Sequence, residues 1–247
     1  MTSVDDELFV LLSRPTNQVA VHSIDDHQPL RHLNLSQPTT RYFCNLTSCA
    51  RHECLYGSER CRIHTYNLAS GAISKWAVPG KPCGLSVTPG CNLLVTCQRP
   101  NKLVELSVDS GQSVREISLQ SDIAYPWHGV QLTTGQYVVC HGSGSSFHRV
   151  CVVDGAGRVT RSYGGQRGSD VGQLDRPCHL AVDEDSQLIV VADWGNDRVV
   201  LLLRSTLDCV CDMSGEGLSR PDRLCLHHPT RRLYVGQLGG DVVVIQL

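Results

Sequence analysis

YGGQRGSDVGQLDRPCHLAVDEDSQLIVVADWGNDRVVLLL, residues Tyr163 to Leu203, decides how the chain folds. It opens on a glycine-studded linker, Gly164, Gly165, Gly168 and Gly172, that ends at Arg176-Pro177. An apolar alternation around Leu180 and Val182 follows, then a polar turn from Asp183 to Gln187. A second apolar run, Leu188 to Ala192, meets the turn Asp193-Trp194-Gly195-Asn196-Asp197, and a third leaves it from Val199 to Leu203. Short β-branched or leucine-rich runs separated by tight polar turns predict an antiparallel meander and argue against helices.

The meander recurs. Prolines at 38, 82, 126, 177 and 221 each precede an apolar alternation, at intervals of 44, 44, 51 and 44, and the long interval holds the glycine linker. A fixed period of this length with several strands per period predicts a propeller. A second alignment, on the end of each second strand, lines up Ser13, Cys54, Cys97, Cys140, Ala192 and Gly236, small residues expected where sheets crowd an axis. Asn17, Ser58, Asn101, Asn196 and Gly240 follow in the next turn, where their backbone tolerance is useful. The expectation is an all-β, six-bladed β-propeller of four-stranded antiparallel blades, with blades near 1–37, 38–81, 82–125, 126–175, 176–219 and 220–247. The first and last blades read as incomplete, because the chain starts inside an innermost strand and stops after a third one. Open edges invite pairing, so the missing rim strand is expected from residues upstream of Met1 in a longer chain.

The stretch 163–203 resembles the NHL repeat: a Gly-rich lead, a proline before the first strand, an aspartate after it, then Ala-Asp, a tight turn with Asn, and Arg-Val. The likeness is strong in blade 5, fair in blades 3, 4 and 6, and weak in blades 1 and 2, where Arg51-His52-Glu53 interrupts an apolar run. It implies the C-terminal propeller of TRIM-NHL proteins, a non-catalytic platform for protein or single-stranded RNA. In that family the propeller often follows RING, B-box and coiled-coil modules that confer ubiquitin-ligase activity, and neither close zinc-ligand pairs nor heptads are present here.

Composition sets bounds. With 41% apolar and 19% charged residues and a net charge of −2, the chain has an ordinary globular balance. No basic excess points to DNA, and no apolar run reaches the ~20 residues of a membrane span. The acidic start MTSVDDELFV lacks a secretory layout, and 13 cysteines without one suit a reducing, cytoplasmic setting as buried small hydrophobes.

Reactive chemistry finds thin support. His128 and His179 sit two residues after Pro126 and Pro177, a position held by Arg223 in blade 6 and Gly84 in blade 3. A ring of channel histidines suits zinc or acid–base work. Peptidyl-amidating lyases, which are similar to NHL proteins, place the histidine directly after the proline, where this chain has Trp127 and Cys178, and a one-residue offset reverses a strand side chain. Cys44, Cys49, Cys54 and Cys61 with His52 and His64 lack the close-pair spacing of a zinc site, and Cys54, Cys61, Cys209 and Cys211 read as core. A lactonase-type calcium site needs several oxygen ligands on innermost strands, which here carry mainly Cys, Gly, His and aliphatics. Asp183, Asp193 and Arg198 are expected to brace turns and neighbouring blades. No catalytic residue, metal or cofactor is assigned.

Charge sorts by face. The outermost-to-innermost connections and second-to-third turns share one face, termed top; it collects Arg14, Arg60, Lys81, Arg99, Lys102, Arg149, Arg176, Arg198, Arg220 and Arg223. The opposite face collects mostly acids, among them Asp5, Asp6, Asp25, Asp26, Asp154 and Glu184. Trp127 and Trp194 join the top face, and Trp and Arg dominate binding energy at interfaces. The candidate binding residues are therefore Trp127, His128, Arg149, Arg176, His179, Trp194, Arg198, Arg220 and Arg223, with a protein as the expected partner and single-stranded RNA as the alternative.

Overall fold

A computed structural model describes residues 1–12, 18–35, 43–59, 61–144, 146–215 and 217–247. Ser13, Arg14, Asn17, Pro38, Tyr42 and Arg60 lie outside the described residues. The chain is a six-bladed β-propeller.

Blade 1 holds β1 (Thr2–Val4), β2 (Glu7–Leu11), β3 (Gln18–Ser23) and β4 (Pro29–Asn34). Blade 2 holds β5 (Asn45–Cys49), β6 (Cys54–Glu59), β7 (Arg62–Asn67) and β8 (Ile73–Ala77). Blade 3 holds β9 (Lys81–Val87), β10 (Leu93–Gln98), β11 (Lys102–Leu106) and β12 (Ser113–Ser118). Blade 4 holds β13 (Pro126–Gln131), β14 (Tyr137–His141), β15 (Phe147–Val153) and β16 (Val159–Gln166). Blade 5 holds β17 (Pro177–Asp183), β18 (Leu188–Asp193), β19 (Arg198–Leu203) and β20 (Cys209–Ser214). Blade 6 holds β21 (Pro221–His227), β22 (Arg232–Gln237) and β23 (Val242–Gln246). Each blade is a simple antiparallel meander. The first blade is thus complete, its innermost strand shrunk to three residues, and the last has three strands among the described residues.

Strand alternation sends successive side chains to opposite faces, so every blade presents one apolar face to each neighbour. In β10, Leu93 and Val95 pack toward Tyr56 and Ile63 of blade 2 while Leu94 packs toward Tyr137 and Val139 of blade 4. The core is accordingly a set of wedges, one at each blade interface. The wedge between blades 6 and 1 closes the ring with Leu8, Ile24, Cys225 and Tyr234. Polar ties reinforce it: Arg232 Nη1 donates to Ile24 O at 2.9 Å, and His227 Nε2 meets Asp5 O at 3.1 Å.

The register corrects the alignment of small residues. Pro82, Pro126, Pro177 and Pro221 pair with Cys97, His141, Asp193 and Gln237 across a bulge. The next inner pairs are Gly84 with Thr96, His128 with Cys140, His179 with Ala192, and Arg223 with Gly236. In blade 2 the corresponding pair is Asn45 with Ser58. Hence Thr96 and Ser58, not Cys97 and Cys54, hold the small position, and Ser58 belongs to a strand rather than a turn. Arg51-His52-Glu53 interrupts nothing: it forms the short 3₁₀ turn between β5 and β6, and Glu53 closes it in the left-handed region. The error came from counting this turn as strand.

Cysteine placement divides. Cys83, Cys97, Cys140 and Cys151 are buried, and burial pushes the Cys97, Cys140 and Cys151 thiols up to about 12. Cys61, Cys209 and Cys211 are exposed, against the core expectation. Cys209 and Cys211 lie on the outermost strand, whose outward face meets solvent instead of another blade, and Cys61 lies in a top turn.

Candidate functional site

The innermost strands carry one residue each at the same register: Asn45, Gly84, His128, His179 and Arg223 in blades 2 to 6. Gly84 is required there, since a Cβ would sit 2.5 Å from Trp127 O and 2.8 Å from His128 Cα. This close approach lets His128 Nε2 reach across blade 3 and donate to Leu85 O at 2.9 Å. Its Nδ1 accepts the Leu180 N–H of blade 5 at 3.3 Å. His179 repeats half of the pattern one blade on, accepting Leu224 N–H at Nδ1 at 3.4 Å, while its buried Nε2 meets no hydrogen-bond partner among the described residues. The two rings stack with centroids 3.9 Å apart and planes 19° from parallel. Burial drives the His128 pKa down to about 4 and that of His179 well below its ordinary value. Both are neutral rings that lace blades 3 to 6 together, and neither is reachable as a surface ligand. His128 has no nitrogen left over, and among the described residues no three His, Cys, Asp or Glu side chains converge to hold an ion. Trp127, half-buried, packs into the wedge between blades 4 and 5.

At the top edge, a basic residue at or near the start of the third strand in blades 3, 4 and 5 has an acid to meet. Lys102 pairs with Glu116 at 2.7 Å, and Arg149 with Asp122 at 2.7 Å. Arg198 pairs with Asp193 at 2.8 Å and also with Asp212. Arg198 additionally donates to Ser169 O at 3.2 Å and Gln173 O at 2.7 Å, which pins the long connection between β16 and β17. These cations are braces, so much of the positive charge counted on this face is neutralised in place. Asp183 likewise accepts from Arg231 of blade 6. A sequence shows that a cation is on a face; whether an acid lies beside it depends on register.

Of the candidate binding residues, those that remain available sit over blades 5 and 6. Residues 167–176 form a loop whose backbone is fixed by Gly168 N–H to Leu174 O (3.2 Å), Gln173 N–H to Asp170 O (2.9 Å) and Asn196 Nδ2 to Gly168 O (2.9 Å). Leu174 anchors it, fully buried. At its tip Val171 is 97% exposed. At its base, Arg176 lays its guanidinium over the Trp194 ring, 4.1 Å from the centroid. Asp175, beneath them, accepts from Arg167 and Arg176; burial alone would raise its pKa, but these two charges and their hydrogen bonds hold it below the usual carboxylate range. Arg220, exposed, uses its backbone N–H on Asp197 at 2.6 Å and leaves its guanidinium free among the described residues. Arg223 faces inward, pairs with Asp222 at 2.8 Å and reaches Cys44 O of blade 2.

The nine candidates therefore separate: Arg176, Trp194 and Arg220 form one surface patch, Arg149 and Arg198 are structural, His128 and His179 are axial, and Trp127 and Arg223 line the interior. Sequence reasoning missed Arg167 and Val171. The only hint was the glycine linker, which marked a long top connection without showing that it is rigid.

No protein-family model matches the chain, and no curated protein matches it in sequence. Solved structures do match in fold. Nidogen in a nidogen–laminin complex aligns over 98% of this chain and 89% of its own at TM-score 0.77 and 15% identity. A Bacteroides caccae protein of unknown function aligns over 98% and 90% at TM-score 0.75 and 15% identity. Kuenenia stuttgartiensis hydrazine synthase aligns over 100% and 94% at TM-score 0.69 and 15% identity. A streptogramin B lyase aligns over 100% and 81% at TM-score 0.66 and 10% identity. At these identities the likeness is one of fold, shared by binding proteins and enzymes alike.

Proposed function

We propose that this propeller is a non-catalytic recognition domain that binds a protein partner on its top face, over blades 5 and 6. The observation that carries the reading is the preorganised patch of Arg176 stacked on Trp194, beside a rigid loop that presents Val171 to solvent. Preorganised aromatic and arginine anchors concentrate binding energy because little side-chain freedom is lost on docking. With Arg167 and Arg176 at the base of a loop that exposes Val171, and Arg220 tied by its backbone to the Trp194–Asp197 turn, the complementary surface is an acidic one with a small apolar recess. The NHL-like sequence of blade 5 supports a role as the substrate-recognition part of a longer TRIM-NHL-like ubiquitin ligase acting in the cytoplasm. Protein is favoured over single-stranded RNA because one Trp194 face is covered by a guanidinium and because Lys102, Arg149 and Arg198 are held by acids and withdrawn from a phosphate track.

The test is selection of a random displayed peptide library on the immobilised chain and on an Arg176→Glu/Arg220→Glu variant. Acidic sequences with an apolar residue should be enriched on the first and lost on the second. Unchanged enrichment on the variant refutes the proposal. Oligoribonucleotide binding that falls steeply with salt, and is lost in the variant, transfers the face to RNA.

A further inference from the structure

We infer that Cys91 and Cys49 form a thiol pair that reacts with hydroperoxides and closes to a disulfide between blades 2 and 3, with His52 as the base that readies Cys49. The pair lies on the face opposite Arg176 and Trp194, among the turns that join first to second and third to fourth strands.

The strands bring the two sulfurs together from different blades. Cys49 ends β5 and is paired with Cys54, the first residue of β6, across the 3₁₀ turn Ala50–His52. Both side chains enter the wedge shared with blade 3, and Cys49 is buried in the same apolar cluster as Tyr56, Leu85 and Leu93. Cys91 arrives from the other side, in the turn between β9 and β10. Its N–H donates to Thr88 O at 2.8 Å and the Asn92 N–H to Thr88 Oγ1 at 3.0 Å, which holds the half-buried Cys91 against that cluster.

The neighbours of each thiol single out one pair. Cys54 is engaged within its own blade, where Asn67 Nδ2 donates to its sulfur at 3.7 Å and the Tyr56 hydroxyl lies beside it. Cys49 instead meets the Cys91 thiol and the His52 imidazole, with Nδ1 3.2 Å from its Sγ. The other imidazole nitrogen, Nε2, faces Oδ1 of Asp109 in blade 3 at 3.9 Å. An acid on that side favours the proton on Nε2 and leaves Nδ1 to take the proton of the thiol. Burial pushes the Cys49 thiol up, with the N–H groups of Arg51 and His52 acting against it, so this sulfur needs a base to become a nucleophile.

Exposure sets the order of events. Cys91 is the more open thiol and reacts first: its S–H and a hydroperoxide, ROOH, give S–OH and ROH. Cys49 then passes its proton to His52 Nδ1, and its sulfur attacks that of Cys91. The S–S bond forms as the S–O bond breaks, and the departing hydroxide takes the proton from His52 and leaves as water. Two thiols lose two electrons and the hydroperoxide gains them. The product staples a wedge where the blades already meet closely, since a Cβ on Gly111 of blade 3 would sit 2.5 Å from the Trp76 ring of blade 2.

The test treats the reduced, intact chain with hydrogen peroxide and locates the products by tandem mass spectrometry of a non-reducing digest. A Cys49–Cys91 cross-link is expected as the main disulfide, reversed by dithiothreitol, and the oxidised chain should melt several degrees higher because a long loop is closed in its unfolded state. His52→Asn should leave the Cys91 sulfenic acid long-lived near neutral pH, so that dimedone captures it about tenfold more than in the unmodified chain; alkaline pH, where the Cys49 thiolate forms unaided, should restore the cross-link. Cys49→Ser should send Cys91 on to sulfinic acid. The position of the cross-link is read on the unmodified chain and does not depend on how a variant folds. No cross-link, a Cys49–Cys54 bond in its place, or equal dimedone capture in a folded His52→Asn chain overturns the inference.

Discussion

Lowering the pH should unfold this propeller through its histidines before its carboxylates are touched. His128 is buried at the axis and His141 at the top edge of blade 4, and burial lowers each pKa from 6.5 to about 4, with the nearby Arg149 charge contributing for His141. In the unfolded chain both return to ~6.5. Between those values the unfolded state binds more protons than the folded one, so stability rises with pH and is lost as pH falls from ~6.5 toward ~4. At 1.36 kcal/mol per unit, each ring costs up to ~3.4 kcal/mol and the pair ~7 kcal/mol, an upper bound because local opening lets a proton in earlier. That is comparable to the whole stability of a typical domain, about 5–15 kcal/mol. Carboxylates act in another window: Asp122, Asp175 and Asp183 have depressed pKa values, so their contribution is full above ~3.8 and is lost only below it. Urea unfolding followed by tryptophan fluorescence at several pH values from 7 to 4.5 gives the slope directly. Counting His179, whose pKa is also held well below its ordinary value, wild type should lose up to ~4 kcal/mol per unit near pH 5, and His128→Asn should be weaker at pH 7 but lose about a third less per unit. A wild-type slope near zero over this range, or an unchanged slope in His128→Asn, refutes the assignment of these rings as neutral.

Arg198→Met should cost ~3–5 kcal/mol by stranding the buried Asp193, and should expose residues 167–176 to proteolysis; adding Asp193→Asn should recover part of the loss in a thermal melt. Gly84→Ala should destabilise by ~1–3 kcal/mol, because its Cβ would meet blade 4 backbone, which cannot move aside like a side chain. Gly165→Ala, where a Cβ meets nothing within 4 Å, should stay within ~0.5 kcal/mol of wild type, and equal melting of the two glycine variants would contradict the axial packing. Cys140→Ser should cost ~1–3 kcal/mol by placing a hydroxyl in the apolar wedge between blades 4 and 5, measurable by urea unfolding.

The blade count was legible because the repeat is enforced twice, by strand alternation and by turn chemistry. Blade 5 satisfies both without exception, so one stretch sufficed. Blade 2 was misaligned where a 3₁₀ turn, Ala50–His52, looks in sequence like a polar break within a strand. Local composition does not separate those two cases, since both need only a residue in the left-handed region, here Glu53 with φ 47°. The axial residues were legible from the prolines, because register follows from a fixed offset. Their state was not: the stacking of His128 on His179 depends on Gly84 admitting a backbone from the next blade. The top face was legible as a collection of cations and illegible as a surface. Arg149 and Arg198 looked identical in kind to Arg176 and Arg220, and only the acids brought alongside by neighbouring strands distinguish brace from ligand.

The ring is uneven, and its unevenness places the proposed surface. From blade 3 to blade 6 the axis is welded by Gly84, His128 and His179, each bonded or packed to the next blade's backbone. On the other side Arg223 reaches from blade 6 to blade 2 beside a cavity of about 410 Å³ lined by Val10, Leu11, Phe43, Arg223 and Val242, and blades 6, 1 and 2 are tied by Arg232 to Ile24 O, His227 to Asp5 O and Ser48 to Ser3 O. A rigid patch with few conformations to lose belongs on the welded arc, which is where Arg176, Trp194 and the pinned loop sit. Stiffness where a surface is read follows from the same register position being His in two blades and Gly in a third, each meeting the next blade's backbone.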